Sequence, residues 1–498
     1  MTIHLSIVLF LPLATGLIGA FLPRGLARWA VLAGTVAVLA YVIVMLFDFE
    51  SGGGLQWVTD DEWIPDLGIR YSLGVDGLNL FMVALTAVAW VPCTLVAAFS
   101  ELERPRLFFF NLALAETAVL GAFMAQDLAL FVVFFDLMLV PFYFLIGVWG
   151  SGDRVRATTM FVIYTLAGSL LMLAAAVALG VLATPSGGDI SFSLADLQQR
   201  SIANGSQHWI VLLFALAFFV KAPLFPLHGW VPATYRSTSI PVLALLSGVL
   251  SKVGVYAFLR IVLPIMPDGA DYWQELFVII AVFSILYGSI LAFSQDNVRL
   301  VLAYSSIAQL GFIVLGIFAF EEKGAQGALF QMLNHGLVTV ALFLIVGVIA
   351  VRARGSESLA ELGGMAFRAP VLAALFLITA LATLAMPGSG NFIGEILILF
   401  GAFEDKLVYG LVASAGVALA AVYMIRLYQG TMHGRAGPAV ESREIDTVNL
   451  AAVAPLVAIV IALGLYPNFV VHRTERDTTQ NIARVVALSG NAEISVIK

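Results

Sequence analysis

Lys221 lies inside IVLLFALAFFVKAPLFPLHGW, an apolar run long enough to cross a bilayer. An ammonium at that depth costs roughly 3 kcal/mol on insertion scales, so an intramembrane lysine marks a functional site by default. Snorkelling to the headgroups is the bland alternative. It fits poorly, because Leu224, Phe225, Leu227 and Trp230 continue the apolar run beyond the charge. Three further ionisable residues sit at comparable depth: Asp136 in LALFVVFFDLMLVPFYFLIGVW, Lys252 in LLSGVLSKVGVYAFL and Glu395 in GNFIGEILILFGAF. His335 occupies GALFQMLNHGLVTVALFLIVGVI, with Gln331 one turn before it on the same face.

Each residue also has an inert reading. Asp136 and Lys221 could form a fixed ion pair that sets helix register. Lys252 could donate to nearby carbonyls, His335 could be a satisfied core histidine, and Glu395, after the break MPGSGN, could accept free backbone amides. The joint pattern weighs against these readings. Acid, lysine, lysine, histidine and acid spread over five helices without metal-ligand spacing read as a line of titratable sites. Burial lowers a lysine pKa and a neighbouring carboxylate opposes that shift, so moving the acid relative to the lysine would switch the lysine between protonated and neutral.

The elements that must position these groups follow from composition. The chain has 498 residues, 61% hydrophobic and 11% charged, with mean hydropathy +0.99. That is a polytopic all-α membrane protein forming one integral domain. Fourteen apolar stretches are candidate transmembrane helices, beginning near residues 3, 28, 77, 107, 128, 157, 209, 239, 274, 299, 325, 370, 407 and 447. The first lacks a basic segment before it and reads as an uncleaved helix. The longest connections, 48–76 and 184–208, are expected to be small surface loops or hairpins.

Alternating the loops between two sides gathers 14 of the 25 Lys and Arg residues on one face and nine, from Arg70 and Arg260 to Lys498, on the other. The bias predicts both termini on the non-cytoplasmic face. Lys221 and Lys252 are the two left inside helices. Cys93 is the only cysteine, which excludes an intrachain disulfide and any Cys-rich zinc or iron–sulfur site. No Walker loop is present, and GSGNFIG at 388–394 lacks the dinucleotide-binding spacing. Redox chemistry and nucleotide binding are therefore expected in partner chains, with no cofactor, metal or nucleic acid bound here.

Pro223 and Pro226 interrupt one span; Pro387, Gly388 and Gly390 interrupt another. Broken helices at membrane depth are tolerated where they line a hydrated cavity. Each break falls in the fourth helix of a group of five, which suggests repeats over 107–265 and 274–428. With an odd number of spans the second copy must be inverted.

LVPFYFLIGVWG (139–150), FVKAPLFPLHGWVP (219–232), LAYSSIAQLGFIVLGI (302–317), MLNHGL (332–337) and MPGSGNFIGE (386–395) closely resemble the antiporter-like, subunit M-type membrane subunits of bacterial NADH:quinone oxidoreductase, respiratory complex I. These are relatives of mitochondrial NADH dehydrogenase chain 4. The resemblance runs from GVDGLNLF (74–81) to about GLYPNF (464–469). It implies a proton-translocating membrane-arm subunit of fourteen helices in the bacterial inner membrane, with inverted five-helix repeats and broken helices seven and twelve. Neighbouring antiporter-like subunits would be partners, and flavin, iron–sulfur clusters and quinone would be held elsewhere in the complex. Asp136 falls on the family's helix-five glutamate, Lys221 and Lys252 on the lysines of helices seven and eight, His335 on the helix-eleven histidine, and Glu395 on the helix-twelve exit glutamate. His228 also matches.

Three departures stand out. Asp136 is one methylene shorter than glutamate, so its contact with Lys221 is expected to be longer or water-bridged. Gln309 stands where many members have histidine and can order water without carrying charge. VPATYRSTS (231–239) lacks the acid and histidine usual there. Glu116, in NLALAETAVL, is an additional intramembrane acid and a candidate for coupling to a neighbouring subunit. Competing assignments are a multi-subunit sodium/proton antiporter, a membrane-bound hydrogenase or a ferredoxin- or F420-linked dehydrogenase. A passive scaffold would tolerate apolar replacement of the Asp136 and Lys221 pair.

Overall fold

The computed structural model describes residues 3–488. Lys498, counted in the charge bias, lies outside them. Every one of the fourteen apolar candidates coincides with a helix or an interrupted helix, and eleven helices are long and apolar enough to cross a membrane. This is a multi-pass membrane protein. Short polar residues start several spans by capping free N–H groups: Asp127 accepts from the Leu130 amide, Asp153 from Arg156, and Asn297 from Arg299 and Leu300.

The helices sort by how apolar they are all round. Ile240–Ile265 is entirely enclosed by other helices, whereas only a third of the apolar window of Arg24–Asp48 is buried. A helix that is apolar on every side belongs in a core, and here that central helix carries Lys252. It contains two π-turns, Leu246–Leu250 and Phe258–Val262, on either side of the lysine's own segment. Single π-turns recur at functional sites. Arg260, assigned to a loop by the charge count, sits inside the second π-turn and is buried. The central helix meets the Lys221 helix at Gly254, where a Cβ would stand 2.6 Å from the Phe218 carbonyl oxygen. Only glycine admits that approach.

Both interruptions are present. Asn204–Lys221 ends on the lysine itself, and the chain continues irregularly to the short helix Val231–Ser237. Pro370–Thr383 gives way to Gly390–Asp405. In the first long connection a hairpin pairs Gln56–Ile64 with Ile69–Val75, turning at Gly68, so the fold is all-α apart from this one two-stranded ribbon among the described residues. The second connection forms the short helix Leu194–Gln199. On the same side runs Asn468–Leu488, a polar-faced helix that buries Val470, Thr474, Asp477, Thr478, Ile482 and Val485 at helical spacing.

Candidate functional site

The first broken helix delivers Lys221 to the interior, where it is 5% exposed. Its Nζ lies 3.5 Å from the Phe135 carbonyl oxygen and 4.5 Å from the centre of the Phe135 ring. Asp136, the next residue, is half-buried and accepts a short hydrogen bond from Ser169 Oγ. Carboxylate and ammonium interact electrostatically but form no direct ion pair. The fixed register pair considered from sequence is thus absent, and the longer contact expected of aspartate is found. Ser169 was not singled out in the sequence: one hydroxyl in the apolar helix Arg154–Leu182 gives no hint that it faces an acid.

Lys252 is fully buried. Its Nζ donates to the Ser247 carbonyl oxygen at 2.8 Å and to Ser251 Oγ at 3.2 Å. The carbonyl is of the kind the inert reading expected, the hydroxyl adds to it, and both partners are neutral. Lys252 and His335 are electrostatic neighbours across the contact between the central helix and Glu322–Arg352. His335 Nδ1 is buried without a hydrogen-bond partner among the described residues.

One turn before His335 stands Gln331. Its Nε2 donates to Gln309 Oε1 at 2.7 Å and reaches Glu395 Oε1 at 3.5 Å. Gln309 Nε2 donates to Glu395 Oε1 at 2.7 Å. Glu395 is therefore held by side-chain amides rather than by the backbone amides freed at the break. Its Oε2 has no partner among the described residues. Gly394 permits this closeness, since a Cβ there would stand 2.4 Å from Gln331 Oε1.

The five sequence candidates thus fall into three local groups: Asp136 with Ser169 beside Lys221, Lys252 near His335, and Glu395 with Gln309 and Gln331. Two sequence candidates stand apart from all three. Glu116 is fully buried with neither carboxylate oxygen partnered among the described residues. His228 stacks among Phe225, Tyr287 and Tyr304, its Nδ1 also unpartnered. Among the described residues no three His, Cys, Asp or Glu side chains are placed to hold a metal ion.

Lys252 and Glu395 have only neutral hydrogen-bond partners, so a proton can come or go there without breaking an ion pair. Residues 125–420 match the family described as NADH:quinone oxidoreductase/Mrp antiporter, TM. NADH-quinone oxidoreductase subunit M of Rhodobacter capsulatus is 36% identical over 94% of this chain and 94% of its own length. The subunit M of Mycobacterium tuberculosis is 37% identical over 93% and 91%. A chain of respiratory complex I from Thermus thermophilus superposes with a TM-score of 0.89 at 30% identity, covering 97% of this chain and all of that one. The Mrp complex from Dietzia sp. shares the fold, with a TM-score of 0.84 at 23% identity over 97% of this chain and 99% of its own.

Proposed function

The chain belongs to the NADH:quinone oxidoreductase/Mrp antiporter transmembrane family, and from that premise we propose that it is a proton-translocating membrane-arm subunit of NADH:quinone oxidoreductase, working beside other antiporter-like subunits. The observation that carries the reading is Lys221, a buried cation at the end of a broken helix, with its carboxylate neighbour held off by a serine. At an effective dielectric of about 20, closing any carboxylate–ammonium separation from about 7 Å to about 4 Å strengthens the attraction by about 2 kcal/mol. That alters the proton affinity of the lysine by more than about tenfold.

Quinone reduction elsewhere in the complex displaces Asp136 relative to Lys221. The proton released passes by Lys252 and His335 to Glu395. Gln309, where many relatives carry histidine, orders this last step without titrating. The residues 107–265 and 274–428 act as inverted five-helix repeats, each contributing one broken helix to the path. The chain lies in the bacterial inner membrane with both termini on the non-cytoplasmic side. It holds no redox or nucleotide site; flavin, iron–sulfur clusters and quinone belong to partner subunits. Glu116 couples the path to a neighbouring subunit.

The test is purification of the intact assembly in vesicles. Flavin- and iron–sulfur-containing partners, with NADH oxidation driving proton uptake from one side, are the expected result. Sodium movement without NADH oxidation would overturn the assignment in favour of a multi-subunit sodium/proton antiporter.

A further inference from the structure

Away from the titratable groups, the surface that faces lipid carries a groove with its own chemistry. Arg24–Asp48 and Thr447–Leu465 flank Leu80–Ala98 and leave a cavity of about 410 Å³ between them. Leu333 and Leu337 of Glu322–Arg352 complete its floor, and every residue that lines it is apolar. Ile43 and Pro455 on its rim are exposed, so it opens towards the bilayer. The two leucines stand two residues either side of His335, and two residues turn an α-helix by about 200°. The groove therefore lies against the face of that helix opposite the histidine. Between Phe81 and Leu95 it follows Leu80–Ala98 for about 21 Å of helical rise, more than the roughly 15 Å hydrocarbon depth of one leaflet.

A second cavity of about 410 Å³ follows along Leu80–Ala98, Glu322–Arg352 and Thr447–Leu465: Leu95 lines the first and Val96 the second, Ala451 the first and Asn449 the second. Here the lining turns polar, with Arg352, Arg443, Asp446 and Ser239. Arg352 is 3% exposed. It donates from Nε to the Arg443 carbonyl oxygen at 2.7 Å, from Nη1 to that of Val348 at 3.1 Å and from Nη2 to that of Glu444. These bonds to neutral carbonyls leave two of the five N–H groups of a guanidinium free. Arg443 is its electrostatic neighbour, and neither guanidinium forms an ion pair among the described residues. Of the nearby acids, Glu444 accepts from the amides of Val371, Leu372 and Ile445, and Asp446 from the main-chain and side-chain amides of Asn449. A carboxylate has about four lone-pair sites, so Asp446 can take a further donor. Ser239 Oγ is buried without a partner among the described residues.

We propose that the two cavities together hold one glycerophospholipid with a primary-amine headgroup: an acyl chain in the groove, the phosphate on Arg352 and Arg443, and the ammonium on Asp446. A guanidinium fork matches phosphate oxygens, and two adjacent guanidiniums without an ion pair are relieved by an anion between them. The carboxylate of Asp446 beside them makes the cavity two-signed, so a headgroup carrying both charges complements it better than a purely anionic one. Choline has no N–H to give Asp446, and a glycerol headgroup brings no positive charge. Ser239 Oγ donates to a phosphate or ester oxygen. The acyl chain packs against Leu333 and Leu337, on the side of Glu322–Arg352 turned away from His335.

The test uses the purified assembly in phosphatidylcholine vesicles doped with a phosphatidylethanolamine that carries a photoreactive acyl chain, the labelled residues being mapped by mass spectrometry. Labelling is expected on the groove walls supplied by Leu80–Ala98 and Thr447–Leu465. Replacing part of the phosphatidylcholine with unlabelled phosphatidylethanolamine should suppress it several-fold, and replacing it with phosphatidylglycerol much less. Arg443→Gln, which keeps the main-chain carbonyl that Arg352 uses, should lower labelling several-fold. Ala451→Phe, which narrows the groove without touching a charge, should do the same and serves where the first variant fails to assemble. Labelling that the assembled variants leave unchanged would overturn the site. Suppression by phosphatidylglycerol equal to or above that by phosphatidylethanolamine would overturn the two-signed headgroup.

Discussion

Lys221 and Lys252 are held by main-chain carbonyls, a hydroxyl and an aromatic ring, whereas Glu395 is held by two side-chain amides. A carbonyl oxygen accepts from an ammonium and from a neutral amine alike, so deprotonation does not strand it. A glutamine amide offers N–H to a carboxylate and, when turned over, oxygen to a carboxylic acid. Both ends of the proposed path are therefore solvated by groups that tolerate either protonation state. Arg260 and Asp76 lie equally deep but are locked by a two-pronged ion pair. On the proposed function, what sets the carriers apart from this ion pair is a neutral partner, not depth.

The contrast breaks most severely at Glu395. Glu395→Gln keeps the shape and the amide contacts yet cannot ionise, so pumping by the assembled complex should fall at least tenfold or so, the factor that about 1.4 kcal/mol represents. Wild-type pumping in that variant would remove Glu395 from the path. Gln309→Leu strips one amide hydrogen bond to the Glu395 side chain, worth about 1–1.5 kcal/mol. A several-fold loss is expected, measured as initial pumping rate, with Gln309→His restoring it.

Ser169→Ala should act more weakly, since one hydroxyl bond contributes about 1 kcal/mol. The expected change is a few-fold in pumping, and none would show that Ser169 does not position Asp136.

Outside the path the effect should be on stability alone. Burial, then Glu404 and Asp405, raise the Glu321 carboxyl from 4.5 to about 7. The folded state binds this proton more tightly than the unfolded chain, so stability is lost as pH rises from about 4.5 through about 7. Glu321→Gln should melt higher than the parent at about pH 8 and together with it at about pH 4, with pumping unchanged. Equal melting at both values would contradict the assignment.

Much of this was legible in the sequence, and the reason is specific. Charges at bilayer depth are too costly to be incidental, so Asp136, Lys221, Lys252 and Glu395 announced themselves, as did the prolines at both breaks. Neutral partners carry no such cost. Ser169 resembles any other small residue in a membrane helix, and the amides of Gln309 and Gln331 reveal their target only once Gly394 lets two helices close. Arg260 was misplaced because loop assignment by hydropathy cannot see a residue 184 positions away that cancels its charge. The hairpin was anticipated as one of two options, loop or hairpin, for the connection 48–76.

The central claim is that the buried lysines act by losing protons, not by holding charge. Lys221→Arg tests this most directly, because guanidinium keeps the positive charge and donates to the same carbonyl but cannot be deprotonated in a protein. Protons moved per NADH oxidised, measured on the assembled Lys221→Arg complex in vesicles, should fall as far as in Lys221→Ala. A ratio equal to the parent's would contradict the account.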